Sequence, residues 1–461
     1  MSSLNASLAI ALSGLAAEQG ALEATSNNVA NVNTPGYSRE VANLATSDPT
    51  IVDPLTFGSG VTLQSIESVR DSILESQIQQ ETQTQGRLGS LVSALSQTQT
   101  SFTSTSGDIG TAISNFFDSL NQLSTSPADL SLRQNVLTAA GNLADAFNLT
   151  ANNLTTQRNN LEQSVEQSVG QINQLTGQIA QINRQISYVE NAGESAGTFI
   201  DQRTQLIDQL SSLVDVSVIP SGNTITLTTA NGSALVVGDQ SFQLSTQAGS
   251  GPDSSVQHIF SQGKDITSSI VSGQLGGLIE ARDQQIPSIG AQLDTLAAGL
   301  ANAVNGVQTN GYDLNGNPTT TANLFTPPPA SGVGAAASLS VAITDPALIA
   351  ASSDGTSGSN SNAEAMYALR DQAVVDGQCP TDYYSNIVFQ VGNATSNANA
   401  SQSASSLVLQ QLSDQRSSIS GVSLDEEAAN MMRFQQAYAA SAQVITAINQ
   451  MMQDVIDMKT S

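Results

Sequence analysis

LEQSVEQSVGQINQLTGQIAQINRQISYV, residues 161–189, sets Leu161, Val165, Ser168, Ile172, Leu175, Ile179, Ile182, Ile186 and Val189 alternately four and three apart. Such spacing is a heptad seam, which an α-helix presents along one side. Ser168 is its only polar member, and the residues between are mostly Gln and Asn with little charge. The simplest reading is one long helix within a bundle rather than an intermolecular coiled coil. The fold class that follows is mainly α, with a long helical-bundle central domain.

Both ends of the chain repeat the pattern. Leu8, Leu15, Leu22 and Val29 lie seven apart with Leu4 and Leu12 beside them, predicting an amphipathic helix from 3 to about 31. Leu424, Met431, Tyr438, Ile445 and Met452 also recur at sevens, with Phe434, Ile448 and Val455 three positions further on. Ser423 and Glu426 make a capping box, and Asp425-Glu426-Glu427 complements the positive end of a helix dipole. Neither end has an obvious local partner except the other, so paired terminal heptad helices are expected. An undocked stripe buries too little to offset the entropy of ordering it. Segments 1–60 and 420–461 are therefore expected to be mobile in the free monomer and to order on assembly.

Between the ends, NTITLTTANGSALVVG (223–238) alternates Ile225 and Leu227 with threonines and turns at Asn231-Gly232, a strong hairpin signal. A small β-rich insert is expected over 214–272. Helix resumes at 275–307, Gly and Pro punctuate 311–362, and the last helices run from about 363. Pro49, Pro54 and Gly58-Ser-Gly60 make residues 41–63 read as irregular, with helix returning at Ile66. The division expected is 1–60 with 420–461 as a terminal coiled-coil region, 61–213 with 273–419 as a helical-bundle domain, and 214–272 as the insert.

The composition is restrictive. Thirteen basic residues against thirty-nine acidic ones give a net charge of −26, which argues against nucleic acid or an anionic membrane as partner, and Lys264 and Lys459 are the only lysines. No stretch approaches the eighteen or more apolar residues of a membrane span, so no membrane insertion is expected. Residues 1–22 hold no Lys or Arg and carry Glu18, so no cleavable signal peptide is expected. A single cysteine, Cys379, and a single histidine, His258, exclude an internal disulfide and any His- or Cys-rich metal site. DLNGN (313–317) opens like a calcium loop, but the required glycine falls on Pro318 and the twelfth position on Leu324. No glycine-rich phosphate loop carries a lysine. No catalytic, metal or cofactor-binding residues are expected, and the chain does not read as an enzyme.

The N-terminal helix ends in NNVANVNTPGYSR (27–39), where Asn27, Asn28, Asn31 and Asn33 crowd ahead of Thr34-Pro35-Gly36-Tyr37. This stretch, within ALSGLAAEQGALEATSNNVANVNTPGYSRE, resembles the N-terminal signature of the bacterial flagellar axial proteins. SGVSLDEEAANMMRFQQAYAASAQVITAINQMM is similar to the matching C-terminal signature, and its SGVSLDEE opening resembles the FlgK type of hook-associated protein. GQLGGLIEARDQQIP, DLNGNP, DPALIAAS, SNAEAMYALRD and DQRSSISGVSLDEE follow in that family's order. The resemblance implies a structural protein joining flagellar hook to filament, extracellular and exported by the flagellar type III route without a cleaved signal. Implied partners are the hook protein, a second hook-associated protein on the filament side, further copies of the chain, and an export chaperone of the FlgN type at the C-terminal region. The short 325–362 segment departs from longer members, which carry a further outer domain there.

In that family the terminal helices pack inside the axial tube. The subunit-contact residues expected on this basis are Leu8, Leu15, Leu22, Asn27, Asn28, Val29, Asn31, Pro35, Gly36 and Tyr37, with Leu424, Met431, Phe434, Tyr438, Ile445, Ile448 and Met452. Pro35-Gly36 would be the bend between core and outer shell. A rod or hook protein is the alternative of the same class, and those mostly β-rich proteins should lack the central helical block. A secreted adhesin or effector could share the acidic, Ser/Thr/Asn-rich composition, but would not need two matching terminal heptads.

Overall fold

The computed structural model describes residues 2–52, 55–103, 108–222, 224–249 and 256–460. Helix α1 (Ser2–Ala30) opens the chain and α11 (Leu424–Thr460) closes it, and the two pack against each other. After α1, strands β1 (Glu40–Thr46) and β4 (Val61–Ser68) form an antiparallel ribbon, with the short hairpin β2 (Thr50–Val52) and β3 (Leu55–Phe57) between them. The expectation of irregular structure over 41–63 is therefore corrected. Pro49 and Gly58-Ser-Gly60 lie between the strands rather than in them, and Pro54 lies outside the described residues. The helix expected from Ile66 also starts later: Ile66 belongs to β4, and α2 (Ser72–Thr103) begins after Asp71. The Asp71 carboxylate accepts the N–H groups of Ile73 and Leu74 at 2.9 and 3.1 Å, satisfying donors that a helix start leaves free.

The heptad run lies within α4 (Leu130–Asn191), a helix of 62 residues that follows α3 (Ile109–Thr125). At 1.5 Å per residue it is about 93 Å long. Leu161, Val165, Ser168, Ile172, Ile179 and Ile186 are buried, whereas Leu175, Ile182 and Val189 are half-buried. Thr176, Ala180 and Asn183 take inner positions instead. A straight helix drifts about 20° per heptad against a 3.5-residue repeat, so the buried face moves round α4 as its neighbours change. Where α3 meets α4, the Phe116 ring lies 5.4 Å from Phe117 and 5.6 Å from Phe325, and all three are fully buried.

Helix α5 (Gly197–Leu213) leads into the expected insert. Strands β5 (Ser217–Ser221), β6 (Thr224–Thr228), β7 (Ala234–Val237) and β8 (Gln240–Ser241) pair antiparallel in chain order. In a second sheet β10 (Gln257–Ser261) lies between β9 (Leu244–Ala248) and β11 (Lys264–Asp265). Ile225, Leu227, Leu235, Leu244 and Ile259 are buried in the core that these sheets share with α4. The polar residues of α4 complete the docking. Asn173 donates to the Leu244 carbonyl and accepts the Leu244 N–H, both at 2.8 Å.

Helices α6 (Gly273–Glu280) and α7 (Ile286–Gln308) are joined by one wider, π-helical stretch over 281–285. A Cβ at Gly277 would collide with the Arg87 carbonyl, so α6 lies against α2 only because that position is bare. The π-helical stretch carries Arg282, whose side chain is wholly buried. Its guanidinium meets Glu162 of α4 at 2.8 Å and the Gln257 carbonyl at 3.0 Å, while Glu162 accepts the Gln257 N–H at 2.8 Å. One ion pair thus grips both backbone groups at the start of β10. The chain then passes through α8 (Ala335–Ser338) and α9 (Ser361–Ala368) to α10 (Pro380–Ser420), which runs along α2 and hands over to α11. At 313–317 the Asp313 carboxylate accepts the N–H groups of Asn315 and Asn317, each at 2.8 Å, so DLNGN is a self-satisfied turn.

Candidate subunit interface

Two elements from opposite ends of the sequence make the terminal arm. The Arg39 N–H bonds the Ser420 carbonyl at 2.8 Å, which brings the far end of α1 to the near end of α11, and Gly14 lies against Ser441. The helices are therefore antiparallel. The face that α1 buries is made of small residues: Ala11, Ala17, Gly20, Ala21 and Ala24. Gly20 receives the Leu63 side chain of β4, and the Ser13 hydroxyl accepts the Val61 N–H at 3.2 Å. Small side chains let a helix lie close on a ribbon, and the larger ones are pushed to the flanks.

That geometry redistributes the predicted stripe. Leu8, Leu15, Leu22 and Val29 are half-buried, and Leu12 is exposed. Of the predicted α11 stripe, Ile448 is buried, at 3% exposure. Met431, Phe434, Ile445 and Met452 are half-buried, while Leu424 and Tyr438 are exposed. Ile10, Met432, Val444, Met451, Ile456 and Met458 add further uncovered apolar side chains, Met458 at 72% exposure. Exposed large apolar side chains occur on the body too, Ile73, Tyr188, Val333 and Phe389 among them, but they are more closely spaced along the two helices of the arm.

The asparagines do their work inside the chain. Asn28, 1% exposed, donates to the Glu40 carbonyl and accepts the Glu40 N–H, both at 2.8 Å, and accepts the Tyr37 hydroxyl at 2.9 Å. Its amide thus stands in for a neighbouring strand at the start of β1. Asn27 donates to the Glu40 carboxylate at 3.1 Å, and Asn31 reaches back to Asn27 while accepting from Thr34. Asn27, Asn31, Gly36 and Tyr37 are half-buried and Pro35 is exposed. Gly36 has φ +77°, a left-handed turn that suits glycine, and a Cβ there would strike Gln205. Burial pushes the Tyr37 phenol up, and the charges of Glu40, Asp201 and Glu427 push it further.

The arm is anchored to the helical body by residues that sequence patterning did not single out. Arg70 binds Asp201 at 2.7 Å and the Gly197 carbonyl at 2.9 Å, and Asp201 also accepts the Ser38 N–H at 3.1 Å. Arg416 pairs with Glu75 at 2.8 Å and reaches the Gly36 carbonyl at 3.3 Å, while Gln205 donates to the Pro35 carbonyl. Arg39 pairs with Glu426 at 2.6 Å, and Glu427 is buried. The acidic turn of α11 therefore does more than complement a dipole. Scarcity was the available signal: a chain with thirteen cations among 461 residues places several of them where a carboxylate or carbonyl waits.

A family model described as the flagellar hook-associated protein FlgK helical domain matches residues 95–325, half of the chain. The chain belongs to the FlgK family of flagellar hook-associated proteins. A model for flagella basal body rod proteins matches residues 8–37, and one for the C-terminal part of the rod FlgEFG proteins matches 414–458, so α1 with its bend and most of α11 carry the axial signatures. Flagellar hook-associated protein 1 of Escherichia coli is 28% identical over 97% of this chain and 99% of its own length. Its Bacillus subtilis counterpart is 29% identical over 99% of each. The alignment to the first spans 541 positions against 461 residues here, so that relative carries segments this chain lacks. The flagellar hook junction protein FlgK from Burkholderia pseudomallei superposes with a TM-score of 0.65 at 19% identity, covering 75% of this chain and all of that one. That likeness is one of fold. Among the described residues no helix is long and apolar enough to cross a membrane.

Proposed function

We propose that this protein is a non-enzymatic structural component that joins the flagellar hook to the filament, outside the cell, and assembles through its terminal arm. The single observation that carries the reading is the uncovered apolar surface on α1 and α11, Ile10, Met432, Met451 and Met458 among it, in a molecule whose other large side chains are mostly inside. Such a surface on the two segments that match axial-protein models fits packing against further copies of itself. In this reading 1–60 with 420–461 is the assembling region, 61–213 with 273–419 the helical domain and 214–272 an outward insert. The hook protein and a second hook-associated protein are its neighbours along the axis. Export proceeds without a cleaved signal, with a chaperone of the FlgN type holding the C-terminal region beforehand. The half-buried positions of the predicted stripe, Leu8, Leu15, Leu22, Met431 and Ile445, form the border between the intrachain seam and the intersubunit one.

The reading as a rod or hook protein rests on the same two end signatures and leaves the helical body over 95–325 unused. A secreted adhesin or effector leaves the two-ended arm without a purpose. The test is a double substitution, Met432→Asp with Met451→Asp, in the full chain. Both positions are exposed in the monomer, so its melting temperature should stay within a few degrees. Cells carrying the variant should make hooks but no attached filaments, because two charges would be buried without partners in the assembled wall. Normal filaments from that variant would overturn the assembly reading.

A further inference from the structure

The neck between arm and body holds more carboxylate than it can pair. Glu75 on α2 gives one oxygen to Arg416, while its Oε2 is buried with no hydrogen-bond partner. Asp208 on α5 is held by a hydrogen bond from Gln79, and its Oδ1 is likewise buried and unpartnered. The charged groups facing these two come from each packed element: Asp71 and Arg70 at the start of α2, Asp201 from α5, and Arg416 from the end of α10. Arg70 is already held by Asp201, which leaves one guanidinium, that of Arg416, for two half-buried acids whose unpartnered oxygens are shut off from solvent.

We propose that Glu75 and Asp208 form a proton-operated latch at the neck, seated when one carboxyl is protonated and prone to open when both are charged. A proton on Asp208 removes the repulsion between the acids and leaves Glu75 free to hold Arg416. Arg416 in turn holds the Gly36 carbonyl, so the latch acts on the bend that carries α1 into the ribbon. Opening the neck lets water reach both carboxylates and relieves the repulsion. The proposal concerns how firmly the arm is set on the body, and it stands whether or not the arm is the assembling surface.

The direction with pH follows from burial. Desolvation pushes the Asp208 carboxyl up to about 7, the charge of Glu75 adds to the rise, and Arg416 and the Gln79 hydrogen bond pull against it. Burial raises Glu75 as well, offset in part by Arg416 and Arg70. An acid whose pKa is raised in the closed state takes up a proton on closing. The closed neck is therefore favoured as pH falls from about 7 towards the ordinary carboxylate range, by up to roughly tenfold in opening constant per pH unit.

Native-state hydrogen exchange on the full chain between pH 8 and pH 5.5 tests the latch, read as protection factors so that the intrinsic pH dependence divides out. The amides to follow are Arg39, bonded to Ser420, and Val69, bonded to Arg39; Ile266, bonded to Ile259 in the insert, is the control. Protection at Arg39 and Val69 should rise up to about tenfold per pH unit below 7 while Ile266 stays level. Asp208→Asn should hold the neck at its low-pH protection across the range. Glu75→Gln removes the neighbouring charge and should move the transition to lower pH. A wild-type neck without pH dependence, an Asp208→Asn protein that keeps the wild-type slope, or a Glu75→Gln protein with an unmoved midpoint would each overturn the proposal.

Discussion

The terminal arm and the helical body are built from similar-looking heptads, and they use them in opposite ways. In the body, most large apolar residues of α3, α4 and α7 point inwards, and Phe116, Phe117, Ile172, Leu296 and Leu300 are fully buried. In the arm, alanines and a glycine occupy the inner face of α1 while its leucines sit half outside. Apolar periodicity marks a face that will be covered, but it does not say by what. The body covers its face within one chain, and the arm covers only its narrow one, keeping its broad one bare.

The largest expected effect lies in the body. Phe116→Ala removes a ring packed between Phe117 and Phe325 and should destabilise the monomer by about 3–5 kcal/mol, measured by denaturant unfolding. A loss under about 1 kcal/mol would mean that the body collapses onto the void and is no more tightly packed than the arm. Next is the grip on the insert. Arg282→Met leaves Glu162, Asp283 and the Gln257 carbonyl without their cation and should lower stability by about 3 kcal/mol, less than for a fully buried pair because both carboxylates retain some solvent. The readout is proteolysis within 214–272, which should appear before cleavage of α4. Uniform cleavage across both would show that the insert does not rely on this grip.

Much of the architecture was legible beforehand: the long helix, the hairpin at Asn231-Gly232 and the paired ends all follow from local periodicity and turn chemistry. What was hidden shares one physical cause. Strand pairing and ion pairs connect residues far apart in sequence, so β1 with β4, Arg70 with Asp201 and Arg282 with Glu162 leave no local pattern. The amides hide their partners for the same reason. Asn28 on Glu40, Asn173 on Leu244 and Asn305 on Phe325 each satisfy the N–H and C=O of one distant residue. A helix rich in Asn is here a set of docking points for extended chain, and the partner segment lies 12 to 71 residues away.

The sharpest test of the contrast between arm and body exchanges the sizes of two residues on α1. Ala21 is fully buried where α1 meets its neighbours, and Leu15 is half-buried at the flank. If leucines formed the seam, Leu15→Ala would be the more damaging change and Ala21→Leu would be tolerated. The close approach seen at Gly20 and Ser13 argues the reverse, because three extra carbons at position 21 must lift α1 off its seat. Ala21→Leu should weaken arm packing by about 1–3 kcal/mol. Leu15→Ala gives up about half the burial of a leucine side chain and gains helix propensity in return, leaving a net loss of roughly 1 kcal/mol or less. Hydrogen exchange at Val61, whose N–H bonds Ser13, reads the arm separately from the body. Protection there should fall further in Ala21→Leu than in Leu15→Ala, with the body amides unchanged in both. The opposite order would place the leucines at the seam and return the arm to the packing of the body.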